Sequence, residues 1–407
     1  MRILVVSNLY PHPFVGGYEL GCRDIVERLY DHEVTVLTST YGRRRRRRED
    51  YVLRWLTADL DWRDANAPAY LAKLLYKEHR NRLAFHRAVV ISKPELVYFW
   101  NMRYVSAALL AYAQRSGLPL CAFISDDWLA TLDRTDSWLH WCYGVPRETW
   151  KALPKRLLSA AFKRARATSE LKHLCLRHAQ FASNYLKVEA LEAARCLPDA
   201  CVIHWGVDLS RYPFAPVQPQ ESRKLLFVGQ IAPHKGVHTA IEAVKVLIER
   251  YSHPNVELTI AGGTSNSTYH RNIAELANSL GISNRVHFQE QLPRELVGQL
   301  YRTHEVLLFP SLWQEPFSIV LLEGMASGTA VVTTSTGGTR EIVEPDKNAL
   351  VFAAGNACDC AAQVNRLLRD PALANRLREH ARAKVEASHQ LESMVAKIDH
   401  ALRQTLG

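Results

Sequence analysis

No stretch of this chain approaches the roughly 20 consecutive apolar residues that cross a bilayer as a helix; the longest run, Val105 to Ala113, is about nine. The eight cysteines form no CxxC pair and share no ligand spacing with histidine. This speaks against a disulfide framework and a zinc site, and for a reducing cytoplasm. Nor do the seventeen histidines fall at metal-ligand spacing, so no metal is expected. Neither a GxGxxG dinucleotide fingerprint nor a Gly-Lys-Ser/Thr phosphate loop occurs. Internal repeats and low-complexity tracts are missing apart from six arginines, Arg43–Arg48. The opening MRILVVSNLY has too short an apolar stretch for a signal peptide and runs into prolines, so it reads as a buried first strand.

What is present is a globular composition, 47% hydrophobic and 23% charged over 407 residues, more than one core usually fills. Residues 1–215 carry 32 Lys/Arg against 22 Asp/Glu, while 216–407 carry 19 of each. The net charge of +10 therefore sits wholly in the first half and points to something acidic meeting it. Short apolar strands alternate with amphipathic helices throughout, the pattern of an α/β protein with parallel sheets covered by helices. Strands are expected at Ile3–Ser7, Val34–Thr38, Leu96–Trp100, Leu120–Ser125 and Phe181–Ser183. In the second half they fall at Leu225–Gly229, Glu257–Ala261, Val286–Phe288, Val306–Pro310 and Ala330–Thr333. Helices are expected at Tyr18–Tyr30, Val237–Glu249 and Pro316–Ala326. A proline-rich linker near 211–223 divides the chain into domains 1–215 and 216–388. Residues 389–407 follow as a separate helix, its stripe of Leu391, Met394, Val395, Ile398, Leu402 and Leu406 needing a partner surface.

The stretch Pro310–Val343 carries most chemistry. Pro316 suits a first helical position, so the backbone N–H groups of Phe317, Ser318 and Ile319 would point out of a helix start, where the dipole favours phosphate. Glu315 and Glu323, eight residues apart, span about 2.2 turns, so both carboxylates would fall on similar sides of the helix as acceptors for hydroxyls. Two solvated glutamates on an amphipathic helix are the plain alternative, weakened by the apolar run around Glu323. Upstream, LLFVGQIAPHKG presents a strand, a turn through Gly229 and Gln230, and Lys235 at a helix start, a point charge suited to diphosphate. Near the N-terminus Gly16 and Gly17 precede a helix, allowing a phosphate close to the backbone or merely making a turn. Asp126 and Asp127 end a strand, where a helix cap is the ordinary reading.

Glu315-PFSIVLL-Glu323 resembles the E-x7-E motif of family 4 glycosyltransferases. That resemblance implies the GT-B fold, two facing Rossmann-like domains with an interdomain cleft, acceptor on the first and nucleotide sugar on the second. It implies that Glu315 meets donor sugar hydroxyls, Glu323 the ribose, and Lys235 the diphosphate, with Gly263 on the nucleotide side. Gln230 stands where the family often has arginine, and Ser318 where it often has glycine. Asp127 falls where a catalytic-face His-Asp pair is common, without the histidine. The Gly16-Gly17 loop is similar to one that faces the donor phosphates, Gly206-Val207-Asp208 to a turn closing the first domain, and Gly337-Gly338 to a loop near the donor.

Carried over, these assign Lys235, Glu315 and Asp127 to catalysis. Gly16, Gly17, Gly229, Gln230, Lys235, Gly263, Glu315, Phe317, Ser318, Ile319 and Glu323 would bind the donor. No cofactor or obligatory metal is implied, and transfer is retaining. Closure of the cleft would matter, and the last helix would cross back to the first domain. Two other readings remain: a GT-B sugar-nucleotide epimerase, or a basic nucleic-acid-binding protein, for which no recognition pattern is seen. The partners expected are a nucleotide sugar and a glycan or lipid-linked acceptor. Arg43–Arg48 and Lys151–Ala167 could hold a cytoplasmic enzyme at the inner face of an anionic membrane, or be a loop and a solvated helix face.

Overall fold

The computed structural model describes residues 1–11, 16–41, 50–58, 68–143, 174–217, 221–264 and 266–406. The chain divides into two units, residues 1–203 with 395–407, and residues 204–394. Residues 204–215 thus group with the second unit. Arg43–Arg48 and the segment 151–167 lie outside the described residues.

Seven parallel strands form the sheet of the first unit: β1 Arg2–Val6, β2 Glu33–Ser39, β3 Val52–Leu56, β4 Leu96–Phe99, β5 Leu120–Ile124, β6 His178–Phe181 and β7 Cys201–Val202. Their order is β3-β2-β1-β4-β5-β6-β7. Six parallel strands form the other: β8 Arg223–Val228, β9 Val256–Ala261, β10 Val286–Gln289, β11 Val306–Phe309, β12 Ala330–Thr333 and β13 Leu350–Val351, in the order β10-β9-β8-β11-β12-β13. Leu4, Val5, Val6, Leu307 and Leu308 are fully buried, as residues of strands covered on both faces must be. The second core adds Val237, Ile241 and Val244 from the helix Val237–Tyr251 and Val364 and Leu377 from the helices Ala357–Arg369 and Pro371–Ser388.

In each sheet the order reverses once, between β1 and β4 and between β8 and β11. The carboxyl ends of those strands diverge into loops on opposite faces, opening a crevice where doubly wound sheets take ligands.

The last helix, Leu391–Gln404, buries Leu391, Met394, Ile398 and Leu402, while Leu406 is exposed. Within the first unit Asp399 accepts from His32, whose other ring nitrogen lies 3.3 Å from the N-terminal amine. Cys175 and Cys196 are joined by a disulfide, which corrects the expectation of unpaired cysteines and removes that support for a reducing compartment. They lie 21 residues apart and meet because their segments form a parallel bridge, which residue spacing does not reveal. Among the described residues no helix is long and apolar enough to cross a membrane.

Candidate functional site

The reversal point of the second sheet gathers the strongest constellation. After β8, Gly229 donates to Ala261 O (3.0 Å) and Ile231 to Gly263 O (2.9 Å), so the loop through Gln230 runs alongside the end of β9. A single 3-10 turn, Pro233–Lys235, ends at Gly236, where φ is 69° and an added Cβ would stand 2.0 Å from Pro310 O. Only glycine permits both the left-handed turn and this approach. Loops from two neighbouring strands are thereby pressed together, and Leu312 donates to His234 O at 2.9 Å.

That approach delivers Lys235 to Glu315. Its Nζ donates to both carboxylate oxygens at 2.8 and 2.9 Å, and Ser311 Oγ donates to Oε1 at 2.5 Å. The Glu315 side chain is 3% exposed and that of Lys235 is 21% exposed, leaving the ammonium the more accessible partner. Trp313 lies under Nζ at 5.1 Å, a cation–π contact, and packs edge-on to His234 at 4.9 Å. Burial, then Lys235, hold the His234 imidazole below its ordinary pKa. The main chain of Glu315 is fixed too: Gly338 N donates to its carbonyl at 2.6 Å and Gly337 N to the Gln314 side chain at 2.7 Å.

The following helix spans Ile319–Ser327, three residues later than Pro316 suggests. Ser318 is its cap, accepting from Leu321 N at 3.2 Å, and this side-chain bond outweighs the preference of proline for a first helical position. Phe317 and Ser318 therefore precede the helix, and Ile319 is its first residue. Glu315 lies outside it altogether, so the two glutamates are not related by helical turns. They sit in separate networks. Tyr212 Oη and Tyr301 Oη donate to the Glu323 carboxylate at 2.6 and 3.1 Å, and Arg294 lies 3.7 Å from it. Burial, then the Glu323 charge, push both phenols well above their usual pKa, so they stay protonated donors. Phe317 stacks at 5.5 Å on His204, whose Nε2 meets Glu341 at 2.8 Å. Trp205, beside it, is packed away.

The reversal point of the first sheet carries a second polar group. Gly16 is the cap residue of the helix Gly17–Val26, and its N–H goes to Glu19 at 2.9 Å. Tyr18 Oη donates to Asn8 Oδ1 (2.7 Å), Asn101 Nδ2 to Asp126 (2.8 Å), and Arg103 to Asp127 Oδ1 (2.5 Å), with Arg103 Nε 3.6 Å from Asp126. Asp126 also accepts from Trp128 N at 2.9 Å in a turn and caps no helix, the next one, Leu132–Thr135, having Thr131 at its cap. Burial outweighs Arg103 and raises its pKa above that of an ordinary carboxyl. Beside Arg103 lies a small pocket lined by Tyr104, Ser106, Trp128 and Asp136. Tyr104 and Ser106 hold left-handed φ of 71° and 92°, strain of a kind that collects at binding sites.

Of the expected residues, the structure brings together Lys235 with Glu315 in the second unit. Gly229, Gln230 and Gly263 lie on the adjoining loops, and Phe317, Ser318 and Ile319 at the helix start. In the first unit Gly16 and Gly17 begin a helix whose Tyr18 reaches Asn8, and Asp127 pairs with Arg103. Sequence reasoning missed Ser311, Trp313, Tyr212, Tyr301, Arg294 and Arg103. Ser311 and Trp313 lay within PSLWQE, between a strand end and Glu315, which was a usable signal.

Two parallel-sheet α/β units in tandem, with these strand orders, make the GT-B fold. The structure superposes on sucrose-phosphate synthase of Thermosynechococcus elongatus with a TM-score of 0.74, 19% identity and 99% of both chains covered. For Anabaena Alr3699/HepE in complex with UDP and glucose the TM-score is 0.71, with 18% identity and 99% of both chains covered. Residues 210–384 match the family described as "Glycosyl transferases group 1". Glycogen synthase of Mycobacterium tuberculosis is 34% identical over 200 residues, 49% of this chain and 47% of that one. The chain spans about half the length of the curated relatives it matches.

Proposed function

We propose that the protein is a retaining family 4 glycosyltransferase. It moves a hexose-type sugar from a UDP- or GDP-linked donor to a hydroxyl of a glycan, a glycolipid or a small molecule. The reading rests above all on one observation: Lys235 and Glu315, from the loops after β8 and β11, share an ion pair at the point where strand order reverses. Cleavage of a nucleotide sugar leaves negative charge on the departing diphosphate, so the site needs fixed positive potential there. Lys235 would supply it, with the N–H groups at the start of Ile319–Ser327. Glu315 would accept from sugar hydroxyls, and Glu323, through its hydroxyl network, would face the ribose. Gly229, Gln230 and Gly263 would border the nucleotide.

In this proposal the acceptor oxygen attacks the face the diphosphate leaves. The new C–O bond forms as the anomeric C–O bond breaks, and the acceptor proton passes to the leaving phosphate. Glu315 serves as binder and not as nucleophile, and no metal or cofactor takes part. Asp127 and the Gly16-Gly17 loop would belong to the acceptor side. Cytoplasmic residence at the membrane face, with a lipid-linked acceptor, completes the reading.

The test is thermal stability with UDP, GDP, ADP and TDP, for wild type and Lys235→Ala. A ligand at 100 times its Kd stabilises by about 2.7 kcal/mol. One nucleotide shifting the wild type and losing that shift in the variant is the expected result. No shift with any nucleotide, in a protein that is folded, overturns the proposal.

A further inference from the structure

The helix Pro68–Ser92, 25 residues long, has one face packed on its unit through Tyr70, Leu74, Phe85 and Ala88. Its opposite face is unusual for a surface helix. Tyr76, Leu83 and Val90, spaced by seven residues, are 64%, 40% and 57% exposed. At 100° per residue these three fall within about 40° of one another, forming one apolar line down the helix. Arg80 and Arg87 lie on one flank of that line, within about 40° of Tyr76, with exposed Ile91 beyond them. His79, Arg82 and His86 lie on the other flank. The helix contains a single carboxylate, Glu78, which sits on the side facing Ser106 and Asp136. Among the described residues no carboxylate forms an ion pair with Arg80, Arg82 or Arg87. Arg80 and Arg82 instead lie over the rings of Tyr76 and Tyr112 at 6.0 and 4.7 Å.

We propose that this face of Pro68–Ser92 is a membrane-docking surface that lies in the headgroup plane of an anionic bilayer, its apolar line sunk to the acyl boundary and its arginines on lipid phosphates. An apolar centre with cations on both flanks and no acid matches the layering of such an interface, apolar inward and anionic at its rim. The inference deepens the membrane-face residence proposed above by giving it a surface, and its test is independent of the donor site, since lipid binding needs no sugar nucleotide.

The test is flotation of the full chain with vesicles of phosphatidylcholine alone and of phosphatidylcholine with about one-third phosphatidylglycerol, a strongly anionic composition. Binding to the anionic vesicles only, weakening as salt rises, is expected. Each arginine near such a surface is worth roughly fivefold, so Arg80→Gln with Arg87→Gln should weaken binding roughly 25-fold. Leu83→Ser with Val90→Ser should weaken it as well, with the salt dependence kept. All four residues are exposed, so unchanged melting of both variants is expected, and the two variants probe charge and insertion separately. A chain with Arg43–Arg48 replaced by serines is the comparator. The proposal is overturned if binding is absent, if it is equal on both vesicles, or if only the comparator loses it.

Discussion

Deleting Lys235 tests whether its pairing with Glu315 organises the site. In Lys235→Ala the Glu315 carboxylate, 3% exposed, keeps only the Ser311 hydroxyl and backbone surroundings. Removing one member of a buried pair costs about 3–5 kcal/mol, and the 21% exposure of Lys235 places this pair at the lower end, about 3 kcal/mol. For a unit of this size 1 kcal/mol moves the melting midpoint by about 2–4 °C, so a fall of about 6–12 °C is expected. Glu315→Ala should cost less, about 1 kcal/mol, because the freed ammonium can turn toward water. The double variant should then lie well short of the sum, with a coupling of about 2 kcal/mol. Calorimetric melting of the four proteins gives the cycle, and hydrogen exchange in peptides from 225–261 assigns the transition to the second unit. A coupling below about 0.5 kcal/mol would refute the pair as an energetic unit.

Three further outcomes are expected. Glu323→Ala leaves the buried hydroxyls of Tyr212 and Tyr301 without their acceptor, about 1–3 kcal/mol each, whereas Glu323→Gln keeps one; identical urea midpoints for the two variants would rule this account out. Gly337 has a φ of 52° and an added Cβ would stand 2.3 Å from Glu315 O, while Gly355 has a φ of 77° with nothing nearer than 3.7 Å. Gly337→Ala should therefore destabilise far beyond the roughly 1–2 kcal/mol of a left-handed alanine expected for Gly355→Ala, as thermal melts would read. Burial lifts the Glu78 carboxyl to about 7, so the folded first unit binds its proton more tightly than the unfolded chain. Its contribution is complete at low pH and is lost as pH rises from about 4.5 through 7. Urea midpoints between these values should fall more steeply for wild type than for Glu78→Gln, and parallel slopes would count against it.

The fold was legible where strands are buried on both faces, because β1, β8, β11 and β12 contain the apolar runs ILVV, LLFV, VLLF and AVV. Of the edge strands only β10 was read, at Val286–Phe288; β3 is VLRWL with a charge in its middle, and β7 and β13 are two residues each, too short to show any period. Within the site, Lys235 and Glu315 were visible because each lies in the loop after a strand, seven residues past Val228 and six past Phe309. The network around Glu323 was not, since Tyr212 reaches it across 111 residues, a distance at which local patterns carry no information. The late helix start shows two local rules in competition at Pro316 and Ser318, with the hydroxyl-to-amide bond prevailing.

The path of the chain into the second unit also dictates where that unit could be cut free. Val207 N donates to His389 O, Leu391 N to Val207 O, and Arg382 to the carbonyls of both Tyr212 and Ala326. A fragment starting at the proline-rich stretch, at residue 216, would discard one side of each of these bonds except that to Ala326, along with Tyr212, one of the two phenols that hold Glu323. A fragment starting at His204 would keep them all, so dissection of this protein into separately studied halves should follow the packing and cut before residue 204.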